Sequence, residues 1–256
     1  MTGTDATHAW AAGEHTILAW DGTGWQVAKQ DVPDELVAIL AMDASHVFTI
    51  GRGGSIWMWD GATWTMQHSK GHELLAITGE DLAHLYAVGD NALLMRFDDK
   101  GKTWKKLKSP PSYRPQVSDD GRITDRDEHA FFTRAYVRKG HMFLSNSAGY
   151  VIEGKPGGAW KISVPGNPSD ELSVYGFWGT DPGRMWFVTN ELIAWRRSVG
   201  PWLTCGSPLF SAVWGTDERN VWAVGSDGLV VKLDDGVLIP GEICSLPEGG
   251  LWTFKH

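Results

Sequence analysis

The chain repeats itself with a period of roughly forty residues, and its two ends read as halves of one repeat. The clearest copy runs from Trp214-Gly215-Thr216-Asp217 to Val221-Trp222-Ala223-Val224-Gly225. A second copy stands at the start, from Gly3-Thr4-Asp5 to His8-Ala9-Trp10-Ala11-Ala12-Gly13. That starting copy lacks the apolar strand that precedes the motif elsewhere. A fitting stretch, Leu251-Trp252-Thr253-Phe254-Lys255-His256, lies at the opposite end. A repeat divided in this way suits a chain that closes on itself, because joining its ends in one sheet removes an open sheet edge.

The glycine that ends the motif serves as a ruler. Its equivalents are Gly13, Gly51, Gly89, Ser145, Thr189 and Gly225, and the six intervals, the last run through both termini, use all 256 residues. Each unit reads as four short strands. In the last unit these are Leu209–Trp214, Val221–Gly225, Leu229–Leu233 and Val237–Ile243. Asp-Gly steps at Asp227-Gly228, Asp235-Gly236, Asp21-Gly22 and Asp60-Gly61 supply the positive φ of tight hairpins. No helical period extends beyond a couple of turns. The expected fold is all-β, a six-bladed β-propeller of four-stranded antiparallel blades. In it Leu251–Lys255 is inner strand A of the first blade, and residues near 8–28 supply strands B, C and D. Residues 1–256 are read as one domain, interrupted by a loop insertion at 108–130 that is rich in Pro, Ser and Asp. A loop of that length in a compact domain is usually functional or disordered.

Composition narrows the function. With 42% hydrophobic residues the chain can bury a large core. A formal net charge of −8 argues against a surface built to neutralise phosphates, so no nucleic-acid partner is expected. There is no apolar run of the ~18 residues that a membrane helix needs. The first residues have neither a basic nor an apolar leader segment, and the expected compartment is cytoplasmic. The only cysteines, Cys205 and Cys244, form no disulfide framework. Most of the fifteen tryptophans keep step with the repeat. Trp10, Trp186 and Trp222 share one position, and Trp25, Trp64, Trp104, Trp160 and Trp202 share another. Such rings fill the wedge between radiating sheets.

Asp99-Lys100-Gly101-Lys102-Thr103-Trp104 carries the core of the Asp-box, or BNR, repeat, with looser versions at Asp21–Trp25 and Asp60–Trp64. The chain resembles bacterial β-propeller repeat proteins of that type. The resemblance implies the fold, and it implies that Asp99, Gly101, Thr103 and Trp104 are framework. Asp-box propellers include sialidases, lectins and assembly factors, so the resemblance selects no activity. The arginines of this chain stand in no recognisable sialidase context.

Repetition separates scaffold from site: a residue that recurs serves the blade, and one that departs is free to serve function. His8, His46, His84 and His141 recur before strand B, and Asp5, Asp43, Asp81, Asp181 and Asp217 recur in the same turns, where they are expected to accept backbone N–H bonds. His15, His68, His72 and His129 fall instead in B-to-C or D-to-A connections, which share one face of the disc. His68, His72 and Glu73, with Asp125, Arg126, Asp127, Glu128 and His129 one blade on, make a polar patch on that face. It is read as solvated loops in preference to a metal site, and no metal or cofactor is assigned. Tyr113 and Arg114 are of the types enriched at interface hot spots. A second pattern, Glu35, Glu73, Glu128, Glu171 and Glu248 ahead of successive inner strands, would make the channel mouth negative.

Metalloprotease, nucleophile-elbow, Walker and dinucleotide motifs are absent. A binding role is therefore favoured over catalysis, with a protein partner on the face that carries the insertion. The alternatives are a glycan-binding lectin using Trp57, Trp178 and Trp195, and a glycan-acting hydrolase or lyase.

Overall fold

The computed structural model describes residues 1–69, 71–100, 102–110, 116–117, 123–125, 131–147, 149–163, 173–198, 202–206 and 210–233. These form six sheets that follow the chain in order, with no α-helix among the described residues. Sheet 1 comprises Thr2–Gly3, Ala9–Gly13, Thr16–Trp20 and Trp25–Lys29; sheet 2 comprises Leu36–Asp43, His46–Gly51, Ser55–Trp59 and Trp64–Ser69. Sheet 3 comprises Leu74–Gly79, Leu85–Gly89, Leu94–Asp98 and Thr103–Lys106; sheet 4 comprises Phe132–Arg138, His141–Asn146, Val151–Gly154 and Trp160–Ser163. Sheet 5 comprises Val174–Asp181, Arg184–Thr189, Leu192–Arg196 and Leu203–Gly206, and sheet 6 shows three described strands, Phe210–Asp217, Asn220–Gly225 and Val230–Leu233. Strands within each sheet pair antiparallel in chain order. The strand Val237–Ile243 and the closing strand Leu251–Lys255 expected from the sequence lie outside the described residues.

Two expectations need adjustment. The inner position of sheet 1 is occupied in part by the start of the chain, with Thr2 opposite Trp10 and Gly3 opposite Ala9. The expected division gave that whole strand to the opposite end. The ruler also slips by one in the fourth unit: Phe132 pairs with Asn146, as Leu36 pairs with Gly51 and Val174 with Thr189. The true equivalent of the glycine is therefore Asn146, not Ser145.

Packing follows from the alternation of side chains along each strand. Inner strands succeed one another around an axis, and the buried apolar residues fall into five clusters, one at each seam between consecutive sheets. The seam between sheets 2 and 3 holds Phe48 edge-on to Phe97, with centroids 5.1 Å apart, and Trp104 closes it from the outer strand.

The turns repeat as closely as the core. Asp5, Asp43 and Asp81 each accept from main-chain N–H groups of their own turn and from the Nδ1 of the histidine three residues on, at 2.9 Å. Asp181 and Asp217 take the same main-chain bonds, with Arg184 and Asn220 in the histidine's place. The expected turn device is present in five sheets. Hydrogen bonds from the side chains and main chain of Thr7 and Thr23 hold the Asp5 and Asp21 carboxyls down, Asp21 to about 2. The fourth sheet has Arg138 where the aspartate should be. Its turn is made by Lys139 and Gly140 at positive φ, and Glu80 of sheet 3 accepts from both of their N–H groups.

The outer hairpins lean on these turns. Trp20 and Trp59 donate Nε1–H to the carbonyls of Ala6 and Ala44. Gly22, at φ 93°, sits so close to Thr7 that a Cβ would lie 2.9 Å from Thr7 Cγ2. A-to-B and C-to-D turns therefore share one face of the disc, and B-to-C and D-to-A connections share the other, as expected from the sequence.

Candidate interaction face

The second face is organised by one recurring bond. The residue after strand B donates its N–H to the carbonyl of the residue before strand A: Arg52 to Glu35, Asp90 to Glu73, Ser147 to Phe131 and Asn190 to Ser173. In sheet 3 it brings the backbones close: at Gly89 a Cβ would lie 1.8 Å from the Glu73 carbonyl oxygen, so only glycine fits there, whereas Asn146 and Thr189 hold the same place in sheets 4 and 5.

The bond also fixes which residues are equivalent. The position occupied by Glu35 and Glu73 is occupied by Phe131 and Ser173 in sheets 4 and 5. Glu128, Glu171 and Glu248 lie outside the described residues. The two carboxylates that do share the position are bridged by one arginine: Arg52 donates Nε–H to Glu35 at 3.2 Å and Nη1–H to Glu73 at 2.6 Å. Those two partners raise the Arg52 pKa, the bond to Glu73 most.

Of the sequence candidates, Glu73 is thus placed by its own carbonyl and held by Arg52. His72 lies beside it with Nδ1 3.3 Å from Asp90 Oδ1. His68 sits on the outer strand of sheet 2, half-buried and opposite Ile56. His68 and His72 belong to different elements, and no group of metal-ligating side chains occurs among the described residues. Asp125 lies in a strand pair inside the insertion, Gln116–Val117 with Ile123–Asp125, where a plain loop was expected. Tyr113, Arg114, Arg126, Asp127, Glu128 and His129 lie outside the described residues. His15, on the same face, uses Nδ1 on the Val32 carbonyl at 2.8 Å.

Trp178 and Trp195 are buried in the seam between sheets 5 and 6, and Trp57 packs against the seam of sheets 1 and 2 with Lys29 Nζ 4.6 Å from its ring centroid.

Sequence reading missed the seam between sheets 4 and 5, where the repeat is replaced by polar chemistry. Glu153 and Arg196 are both buried, and they form two parallel bonds of 3.1 and 2.5 Å. Lys161 approaches Glu153 Oε1 at 2.8 Å and His141 Nε2 lies 3.5 Å from Oε2. The Arg196 guanidinium is 4.6 Å from the Trp202 ring centroid and 5.1 Å from that of Phe143. Burial acts to raise the Glu153 carboxyl, but donors from His141, Arg196 and Lys161 outweigh it and hold it well below the usual range. Nearer the axis, Arg134 donates Nε–H to the Tyr175 carbonyl, Tyr136 Oη–H to the Gly179 carbonyl and Arg138 Nε–H to the Thr180 carbonyl. With Asn146 as the ruler, Arg134 falls where sheets 2, 3, 5 and 6 have Ala38, Ala76, Gly176 and Ala212. That departure was the available signal, and the one-residue slip hid it.

Comparison with known proteins bears on the fold. No family model and no curated protein matches the chain. Solved structures do. YCF48 bound to a D1 peptide is 13% identical with a TM-score of 0.66, over 90% of this chain and 74% of that one. Streptogramin B lyase is 12% identical with a TM-score of 0.65, over 98% and 88%. The WD40 β-propeller domain of Doa1 is 14% identical with a TM-score of 0.59, over 90% and 79%. At such identities the likeness shows the fold alone: the chain has a β-propeller fold, and its sheets are blades, numbered here as the sheets are.

Proposed function

We propose that this chain is a non-catalytic binding propeller that takes a protein partner on the face carrying the insertion 108–130. One observation carries the reading. The insertion, with its own strand pair, enters the ring directly ahead of the blade whose turn, inner strand and following seam all depart from the repeat. A propeller with a peptide bound stands among the similar structures, which makes peptide recognition a known use of such a scaffold. The residues assigned to the partner are His68, His72, Glu73, Tyr113, Arg114, Asp125, Arg126, Asp127, Glu128 and His129. Replacement of residues 109–127 by a short Gly/Ser linker tests this: the fold is retained and the partner lost in pull-down from the native source. Unchanged capture contradicts it.

The proposal includes a single domain over 1–256, closed as six blades of Asp-box type. Support for the Asp-box type comes from Asp21 and Asp60, whose carboxylates accept from the N–H groups of Thr23, Gly24, Ala62 and Thr63 in matching hairpins. Support for closure comes from two uncovered faces. Blade 6 presents Ala212, Trp214, Trp222, Val224 and Val230 on the side away from blade 5. Blade 1 presents Ala9, Ala11, Leu18, Trp20, Trp25 and Val27 on the side away from blade 2. By register these are the faces that meet at every other seam. Residues 251–255 would complete the inner strand of which Thr2–Gly3 form the other part.

A further inference from the structure

We infer that Arg134, held by the Tyr175 and Thr133 carbonyls, is a recognition site for a carboxylate group of the protein partner. This deepens the binding reading above and rests on it.

The position itself is the first argument. Every equivalent described residue is alanine or glycine, because the start of the inner strand is crowded by the neighbouring blade. An arginine there is not needed to fill space, and it stands at the residue pair where the strand pairing shifts register.

Its hydrogen bonding is the second. The guanidinium is held by two main-chain carbonyls, Nε donating to Tyr175 at 3.1 Å and Nη1 to Thr133 at 2.8 Å. Its Nη2 donates to no described residue, and no described carboxylate lies within ion-pair distance of it. Arg52, Arg184 and Arg196 differ, each holding a glutamate. A guanidinium held by two carbonyls with Nη2 unclaimed is preorganised for a carboxylate, since little rotamer entropy remains to be lost.

Surroundings supply the third. Arg134 remains exposed while the strands around it desolvate the guanidinium and push its pKa down, the situation of a cation in a wet recess. Phe131, three residues before it in the chain, and Tyr175, whose carbonyl it holds, are exposed at 42% and 38%. Arginine and tyrosine are residue types enriched at interface hot spots. The carboxylates of the neighbouring blades do not compete for it, because Glu35 and Glu73 are already held by Arg52. Arg134 opens the strand that follows the insertion, so the two features face the same partner.

The test uses the full chain and three peptides: acetyl-Gly-Phe-Gly-Ala with a free C-terminus, its amide, and acetyl-Gly-Phe-Glu-Ala-amide. Isothermal titration is expected to show binding of at least one of the two carboxylate peptides and none of the neutral amide. The peptide that binds tells a chain terminus from an acidic side chain. Arg134→Gln keeps N–H donors for the Tyr175 and Thr133 carbonyls and loses the charge. It should weaken the carboxylate peptide by at least about tenfold, with an unchanged melting temperature, and Arg134→Lys should recover part of the loss. Equal binding of acid and amide, or equal binding by parent and Arg134→Gln, overturns the inference. The broader partner reading fails separately, through unchanged capture by the 109–127 replacement.

Discussion

Blades 5 and 6 carry the same aromatic face, and only one of the two copies is covered. Trp178, Trp186, Val188 and Ile193 of blade 5 are 8%, 7%, 0% and 0% exposed, packed on Val213, Val221, Ala223 and Val231 of blade 6. Their register equivalents in blade 6, Trp214, Trp222, Val224 and Val230, are 61%, 40%, 39% and 62% exposed. The sequences are nearly interchangeable, so the difference lies in the neighbour and not in the blade. A large apolar face uncovered at one end of an arc, with a complementary one at the other end, is what a closing seam looks like before its partner is set against it.

The comparison can be broken by substitution. Trp186→Ala should cost about 3–5 kcal/mol, the usual penalty for emptying an aromatic site in a core. Under closure Trp222→Ala should cost nearly as much. On a face that stays open it should fall within about 0.5 kcal/mol of the parent. Chemical denaturation of both variants decides between the two.

The seam between blades 4 and 5 gives the next largest effect. Arg196→Ala leaves Glu153 buried with only Lys161 and His141, and a loss of about 3 kcal/mol or more is expected. The same pair sets a pH dependence. The folded Glu153 carboxyl titrates below its ordinary value, so its contribution is present above the usual carboxylate pKa and is lost as pH falls through that value and below it. Melting curves in the acid range should show a slope that Glu153→Gln reduces. Identical slopes in parent and variant would mean that the cluster is not held as described.

The turns sharpen the comparison least. Asp43→Ala removes an acceptor for the Ser45 N–H and for His46, and should cost about 1 kcal/mol. Arg138→Asp would rebuild the standard turn in blade 4 but lose the bond to the Thr180 carbonyl and set a carboxylate near Glu80. A melting temperature at or below the parent's is expected, although the change restores the repeat.

Much of this was legible in the residues. The glycine ruler set the spacing of the described sheets with a one-residue slip in the fourth, and the spacing of Asp43 and His46 announced a turn that the hydrogen bonds bear out. Failures came where periodicity offers no signal. Blade 4 has neither the turn aspartate nor the closing glycine, so its alignment slipped by one and Arg134 lost its meaning. Glu153 and Arg196 are 43 residues apart and meet only because neighbouring blades face each other. Of the row of glutamates, Glu35 and Glu73 share one position, and Glu128, Glu171 and Glu248 lie outside the described residues. Acidic residues are common ahead of these strands, but only a main-chain hydrogen bond shows which of them are equivalent.

Closure of the ring is the claim on which the rest stands, and a pair of spin-label distances tests it directly. With Cys205 and Cys244 replaced by serine, labels at Ala6 and Ala44 report the spacing of A-to-B turns across the seam of blades 1 and 2. Labels at Ala6 and Glu218 report the corresponding spacing across blades 6 and 1. The account predicts two narrow distributions with the same centre; a clearly longer separation for the second pair, with the first unchanged, would contradict it.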